Sequence, residues 1–335
     1  VSGIVIGGNG GNAGTSLDSS GDAGSGASVS LVDAVSGTTT GSLTLIQQAV
    51  GGNAGLVREG QAGMAGTAYS ALNASASSSD LTVSSKAEGG SGGNPDQTGA
   101  GDTLSATGTA ASGAAGSAWS SAFNDAGSAT SITLATGGVG GDASGGANSG
   151  AGGDADASAM AETSGDGYDV FVSGEAKAGG GGLVAIGSSS IAGAGGDAVS
   201  RSKGTAEGNS GVTVADVARG GLGGYLTTCC TNSPVSGSGG NGGMASSYAT
   251  ADNVGVESVS VTARAIGARG GQGYGIGHRS GNGGNATASA QGNSSEGDVT
   301  VEAFQQSGSG AWGYEGASGG DGASSFMTDA VSGST

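Results

Sequence analysis

Aspartates that end glycine-rich runs are the side chains of this sequence most suited to bind a metal ion. Residues 137–142, Gly-Gly-Val-Gly-Gly-Asp, match the first six positions of a calcium-binding nonapeptide repeat. The match stops there, because Ser144 stands where a large apolar residue is needed and no copy follows nine residues on. The sequence therefore offers Asp142, Asp154 and Asp197 as calcium ligands. The alternative is that these carboxylates hydrogen-bond the main chain of turns.

Catalytic residues are scarce. A serine or cysteine nucleophile needs a nearby base held by a third group, and the chain has one histidine, His278, in the loop-like run Gly-Ile-Gly-His-Arg. Asp166 and Asp169 form a carboxylate pair of the kind that cleaves glycosides. They fall in a polar turn, however, where aspartate is common for conformational reasons. We therefore expect no enzymatic activity and no cofactor other than calcium.

Cys229 and Cys230 are adjacent and are the two cysteines of the chain. Neighbouring Cα atoms lie ~3.8 Å apart, below the common disulfide range, so a bond between these two residues would be strained. In a reducing compartment they would be inert thiols. Outside the cell, a strained vicinal disulfide or a cross-link to a neighbouring chain becomes plausible.

The composition excludes several classes of protein. The chain has 335 residues, of which 79 are glycine and 4 are phenylalanine, and its net charge is −18. Such a charge argues against nucleic-acid binding. No apolar run approaches the ~20 residues of a membrane helix. Because large apolar residues are too few for a conventional globule, order must come from repetition and from close packing of small side chains.

Two alternating motifs supply that repetition. The first, called strand B here, alternates β-branched residues or leucine with threonine or serine and recurs at intervals of roughly 43 residues. The second, called strand A, alternates alanine with slightly larger residues and precedes strand B across a polar turn. Alternation with a period of two is the signature of a β-strand. Strand B begins at Leu43, Leu81, Ile132, Val170, Val212, Val259 and Val299.

A glycine segment, a variable tip and a second glycine segment complete each unit. Glycine allows backbones to approach more closely than any other residue does. We therefore predict an all-β, elongated β-solenoid or stacked-sheet fold of about seven units, with polyglycine-type segments beside the sheets. The domain would be a single one over residues 1–335.

The ends of the chain hold complementary halves of a unit. Residues 4–6 (Ile-Val-Ile) form a strand B with no strand A before it, and residues 323–328 form a strand A with no strand B after it. An unpaired strand edge is a template for another chain. We therefore expect head-to-tail assembly of this protein with itself. The alternative is that both ends are cuts in a longer array, in which the same pairing occurs within one chain. The predicted interface consists of Ile4, Val5, Ile6, Ala323, Ser325, Phe326 and Met327.

The succession of Gly-x-Gly-Gly-Asn/Asp-Ala, Ala-x-Ala alternation and Val-Thr-Val resembles glycine-rich repeat proteins of bacterial surfaces, which include adhesins, autotransporter-like passengers and matrix proteins. The resemblance implies an extracellular or cell-surface location. It also implies a structural role in a filament, sheath or matrix. The alternative is an adhesin stalk that binds a ligand such as a glycan or ice. Ice binding would require Thr44, Thr82, Thr133, Thr213 and Thr300 to line one exposed face.

Overall fold

Two large parallel β-sheets make up most of the fold. The structure, a computed structural model, describes residues 1–13, 21–57, 60–94, 110–144, 146–185, 188–227 and 236–335. All regular secondary structure in these ranges is strand, so the all-β prediction is confirmed. The chain coils upward through two facing eight-stranded sheets, as expected for a β-solenoid-like stack.

The first sheet contains the B strands, in chain order and all parallel. Its strands are Ser2–Ile6, Ser42–Val50, Asp80–Glu88, Ser128–Thr136, Asp169–Lys177, Gly211–Arg219, Val259–Ile266 and Val299–Gln306. The second sheet contains the A strands, again in chain order. Its strands are Val29–Val32, Ala68–Ala76, Gly116–Asn124, Ala155–Thr163, Ala198–Ala206, Ala245–Asn253, Ala286–Ser294 and Val331–Ser334. One B strand, the following tip and one A strand form a layer of the stack.

Alternation within each strand sorts side chains between the core and the outer face. In the strand Gly211–Arg219, Val212, Val214 and Ala218 are buried while Thr213 is exposed. Residues in equal register on successive strands stack into columns that run through the layers. The inner columns consist mainly of alanine, valine, leucine and serine, and their apolar members form one continuous core between the sheets.

Glycine segments extend this stack beyond the strands, and their main chain is hydrogen-bonded with a period of three residues. The NH groups of Gly7, Gly10 and Ala13 donate to carbonyls of the next layer at 2.8–2.9 Å. Three residues per turn is the period of the polyproline II helix, whose main chain makes no internal hydrogen bonds. These segments therefore satisfy their NH groups through neighbouring segments.

A zigzag of hydrogen bonds joins the two glycine segments of every layer. Ala27 N donates to Gly8 O at 2.9 Å, Gly52 N to Ala27 O at 2.9 Å, and Gly66 N to Gly52 O at 2.8 Å. The same alternation continues through every layer to the bond from Ala323 N to Gly308 O. The glycine segments thus form a third array of main-chain hydrogen bonds beside the two sheets.

The close approach of these segments is the reason for glycine. A Cβ added to Gly138 or Gly179 would lie closer than 3.0 Å to the carbonyl oxygen of the same position one layer below, Gly90 or Gly138. Neither glycine has a positive φ. Space, and not backbone conformation, therefore selects glycine in these columns.

Short strands also form at the tips. Ala143–Ser144, Val184–Ala185 and Leu226–Thr227 make a three-stranded sheet, and Ser188–Ile191, Ser236–Ser238, Gly273–Tyr274 and Gly313–Tyr314 make a four-stranded one. Val184, Ala192 and Leu226 form a small second core, against which Tyr274 packs. The rings of Tyr274 and Tyr314 stack with centroids 5.0 Å apart.

The register of one B strand differs from the sequence prediction. Residues 132–134 do not stack on the equivalent motif of the preceding strand: Leu81 pairs with Ala129, and Ile132 pairs with Ser84. This register places Ser131 and Thr133 in the core and Ile132 on the outer face. In this register the hydroxyls of Ser131 and Thr133 both hydrogen-bond the Ser120 hydroxyl inside the core, while Ile132 faces outward.

Glycine packing predicts an unusual order of mutational sensitivity. Gly140→Val places a branched side chain against the backbone of Gly150, so we expect it to destabilise the fold by about 2–3 kcal/mol or more. Val139→Ala changes an exposed side chain and should shift stability by less than about 0.5 kcal/mol. Thermal unfolding followed by circular dichroism compares the two variants. Equal losses would show that the glycine columns are not close-packed.

Candidate functional site

The N-terminal end of the stack leaves its core open. The strand Ser2–Ile6 is the first of the B sheet, and its outer edge has no partner within the described residues. Val5 pairs with Ala49 and so begins an inner column whose next six members are alanines with no exposed surface, and which ends at Gln305. Val5 itself is 44% exposed, and its neighbours Ile4 and Ile6 are 59% and 69% exposed. An apolar surface therefore faces outward at this end.

Main-chain groups are also available at this edge. Val1 O accepts from Ile46 N, and Gly7 N donates to Val50 O. Since alternate residues of a parallel strand bond to one side, the groups of Val1, Gly3, Val5 and Gly7 face the second strand. The NH and CO groups of Ser2, Ile4 and Ile6 then point to the open edge.

The C-terminal end presents the complementary edge. The strand Val299–Gln306 is the last of the B sheet, and its inner residues Val299, Val301 and Ala303 are partly exposed although they pack against the core. Gly267 N donates to Gln306 O, so by alternation the main-chain groups of Val301, Ala303 and Gln305 point away from the stack. Within the part of the chain that the structure describes, both ends therefore combine partly exposed core residues with a strand edge that has no partner.

The predicted C-terminal strand A lies elsewhere than expected. Ala323 donates to Gly308 O and so belongs to the glycine segment, and residues 323–328 form no strand. The last A strand is Val331–Ser334, which pairs with the strand Ala286–Ser294. The register of the glycine segment accounts for the difference, because Asp321 bonds to Asn282 and Ala323 then takes a glycine position.

The apolar residues predicted for the C-terminal interface are nevertheless on the surface. Phe326 is 83% exposed and Met327 is 48% exposed. Ser325 Oγ and Phe326 O accept hydrogen bonds from Gln305 Nε2 at 2.8 and 3.0 Å. The segment therefore protrudes beside the last B strand, held by that glutamine.

Two glutamines hydrogen-bond the main chain at the ends of the core, where the terminal A strands are short. Near the first end, Gln47 Oε1 accepts from Ala34 N at 2.8 Å and Gln47 Nε2 donates to Leu31 O at 3.2 Å. The first A strand ends at Val32, next to Asp33, whose φ is 46°. Gln305 has the corresponding role at the other end. Both glutamines bond main-chain groups that a regular A strand would have paired, which is typical of modified terminal repeats.

The aspartates considered as calcium ligands bond to the main chain of the next layer. Asp142 Oδ1 accepts from Leu183 N at 2.7 Å, and Asp154 Oδ1 accepts from Asp197 N at 2.8 Å. Asp197 Oδ1 in turn accepts from Met244 N at 2.7 Å. Each bond joins equivalent positions of successive layers, so these side chains link layers and do not close local turns. The described residues contain no group of three or more His, Cys, Asp or Glu that could hold a metal ion.

The other candidate reactive residues lie in different parts of the fold. Asp166 Oδ1 accepts from Asn209 N at 2.6 Å, so this carboxylate also bonds a neighbouring layer. His278 lies in a tip, and its carbonyl accepts from Ser318 N. Cys229 and Cys230 lie outside the described residues.

Threonines form a partial column on the outer face of the B sheet. Thr44, Thr82, Thr213 and Thr300 share one column with three other residues, Thr130, Phe171 and Ser260. Thr133 is not part of it, because it is buried and donates to Ser158 O at 3.0 Å. Phe171 interrupts the hydroxyl groups. The five threonines that ice binding would require therefore do not line one continuous exposed face.

A buried carboxylate is the main feature that sequence reasoning missed. Asp216 has no exposed surface and accepts hydrogen bonds from three serine hydroxyls, of Ser200, Ser202 and Ser247, at 2.6–2.7 Å. Tyr248 N adds a fourth bond at 3.1 Å. The signal was present in the strand motif, since period two after Val212 and Val214 places residue 216 inside.

Burial raises the pKa of Asp216 to about 6 from its ordinary value of 3.8, although the four hydrogen bonds oppose this shift. The space for the carboxylate comes from Gly174, which pairs with Asp216 on the neighbouring strand. An added Cβ at Gly174 would lie 2.8 Å from Asp216 Oδ1. The polar cluster therefore depends on a glycine in the B sheet.

Comparisons of the chain with protein-family models, curated proteins and solved structures find no match. Over the described part of the chain, no helix has the length and apolar character needed to cross a membrane. The site must therefore be interpreted from its own geometry.

The raised pKa of Asp216 predicts a pH-dependent stability. Between pH 3.8 and about 6 the folded chain keeps a proton that the unfolded chain releases. The free energy of unfolding should therefore fall as pH rises through this window, by on the order of 3 kcal/mol from this group. Asp216→Asn removes that contribution, and urea unfolding from pH 3.5 to 7.5 measures it. The control is Asp169→Asn, which alters an exposed carboxylate. Parallel pH profiles for the wild type and Asp216→Asn would contradict the assignment.

Proposed function

We propose that this protein is a structural subunit of an extracellular filament, sheath or matrix and that it assembles head to tail through the ends of its stack. The observation that carries the proposal is that core residues are partly exposed at both ends of the stack. Val5 begins at one end a column whose inner members are fully buried. At the other end, Val301 and Ala303 are partly exposed core residues.

The two edges match in hydrogen-bonding pattern. If a second chain continued the layers in register, Ser2 N and Ile4 N would meet the carbonyls of Val301 and Ala303. Ile4 would also stack on Phe304, because the column that begins at Ile4 and Gln48 ends at Arg264 and Phe304. Such a contact uses different surfaces on the two chains, so it propagates into an open fibre.

The extracellular location rests on the resemblance to glycine-rich surface proteins and is part of this proposal. A purely mechanical role agrees with the geometry of the polar side chains. Aspartates of the glycine segments such as Asp142 and Asp197 bond main-chain NH groups of the next layer. The interior carboxylate of Asp216 has no access to solvent.

A second candidate function, glycan binding, is favoured by aromatic residues on the outer face of the A sheet. Tyr69 and Trp119 lie on neighbouring strands and are 41% and 44% exposed. Flat aromatic rings pack against the apolar faces of sugars. An adhesin that binds glycans would therefore have exposed aromatic side chains on neighbouring strands, as Tyr69 and Trp119 are here. Titration with soluble β-glucan should then quench tryptophan fluorescence, and Trp119→Ala should abolish the effect while Trp312→Ala should not. Equal quenching in both variants would exclude this face.

Filament formation predicts a defined axial repeat. Eight layers at ~4.8 Å give a rise of about 38 Å per subunit. Electron microscopy of the purified protein, with helical analysis of any filaments, measures this value. A rise unrelated to the layer spacing would exclude end-to-end stacking.

A charge at the open core should block the same assembly. Val5→Asp places a carboxylate in the column that the joint would bury, so filaments should be lost and the melting temperature of the monomer should change little. Val254→Asp is the matched control, because Val254 is exposed on a turn between the sheets. Filaments that form equally well from both variants would count against the proposal.

A further inference from the structure

We infer that a second copy of this chain packs on each end so closely that it continues the glycine segments in register, with Gly8 and Gly11 of one copy against the last layer of the next. This inference rests on the proposed function and specifies its joint. It predicts that certain glycines at the ends are required for assembly, although a side chain at these positions would meet no atoms of the single chain.

Inside the stack, each glycine of these columns has a steric reason. A Cβ on Gly52 would overlap the carbonyl oxygen of Gly8 in the layer below, and one on Gly55 would overlap that of Gly11. The same contact recurs one layer higher, between Gly90 and Gly52 O. Wherever a glycine stands in these two columns above the first layer, a side chain would therefore meet the backbone beneath it.

The first layer also has glycine at these positions, but no backbone lies close enough there to exclude a side chain. A Cβ on Gly8 or on Gly11 would meet nothing within 4 Å. Their NH groups also donate to no main-chain carbonyl within the described residues, whereas Gly52 N and Gly55 N each donate to the layer below. Bare glycine and free NH groups at this end are what a further layer would need.

The last layer shows the converse pattern. A Cβ on Gly242 or Gly283 would overlap a carbonyl oxygen of the layer above, that of Ala268 or Gly308. Gly322 is the equivalent residue of the last layer, and a Cβ there would meet nothing within 4 Å. If a second copy continued the stack in register, its Gly8 carbonyl oxygen would face Gly322.

The polar groups of the two ends are complementary as well. Ala27 O accepts from Gly52 N, and Ala323, which is the last residue of that column, offers its carbonyl at the top of the stack. A second copy would place Gly8 N at this carbonyl. Because each end supplies what the other lacks, the occupant that fits is another copy of the same chain.

Two single variants test the joint from both sides. Gly8→Val and Gly322→Val each add a branched side chain to open space, so the monomer should keep its melting temperature. Each should raise the concentration needed for assembly at least about tenfold, because the added atoms overlap the incoming backbone. Valine is needed because Ala268 shows that a methyl group is accommodated once in the Gly8 column.

The matched control is Gly180→Val. The Cβ of Gly180 would have an ordinary contact of 3.6 Å with Leu222 O, and Val139 already occupies the equivalent position one layer below. This variant should assemble like the wild type. Light scattering and negative-stain microscopy compare all four proteins at equal concentration.

Mixing the two blocked variants gives the decisive measurement. Gly322→Val retains an intact N-terminal end and Gly8→Val an intact C-terminal end, so an equimolar mixture should form a 1:1 dimer and no filament. Failure of the mixture to dimerise, or normal filaments from either variant alone, would overturn this joint while leaving assembly by another contact. A wild type that stays monomeric at all concentrations would overturn both this inference and the proposed function.

Discussion

Each inner glycine segment is hydrogen-bonded to four neighbouring segments, as residues 51–56 are to the segments above and below them and to two facing ones, and this requirement shapes the rest of the molecule. One NH in three donates to the next layer, as from Gly10 to Asn53, and one donates to the facing segment, as from Gly55 to Gly24. The third is met in several layers by a side chain, as when Asn12 Oδ1 accepts from Leu56 N. Only hydrogen fits at the first two positions of most triplets, so the segments need glycine there. The third position accepts a side chain such as Val139 or Leu222, and an Asn, Asp or Ser there can bond an NH group of the next layer.

The sheets have to follow the layer spacing that the glycine segments set. Their inner columns are filled mainly by alanine and valine, which leave little room for larger groups. Where a polar side chain enters, a glycine or serine makes the space, as Gly174 and Ser202 do around Asp216. A buried carboxylate with four donors costs less than an isolated one, yet its raised pKa shows that desolvation still dominates.

Much of the fold could be predicted from the sequence because strand periodicity and glycine spacing are local signals. Val212, Thr213 and Val214 show which residues face inward, and parallel stacking follows from the repetition of that motif. Register was harder to predict: Ile132, Thr133 and Leu134 match the motif as a string, but in the sheet they lie three residues away from the equivalent motif of the preceding strand, with the Thr133 hydroxyl bonded to Ser120 in the core. The hydroxyl cluster around Asp216 joins residues 14 to 31 positions apart, so no single motif contains it.

The ends of the stack show why a repetitive fold is prone to self-association. Every inner layer presents the same donors and acceptors upward and downward, so the first and last layers are complementary to each other without any dedicated interface. Natural sheets usually blunt such edges with charge, proline or a covering loop. Here the glutamines Gln47 and Gln305 satisfy the interior where the A strands shorten, but the B edge at Ile4 and the bare backbone at Gly8 stay open. At each end the edge of the A sheet is covered and the edge of the B sheet is exposed. Subunits would therefore meet in a single register, as a regular filament requires.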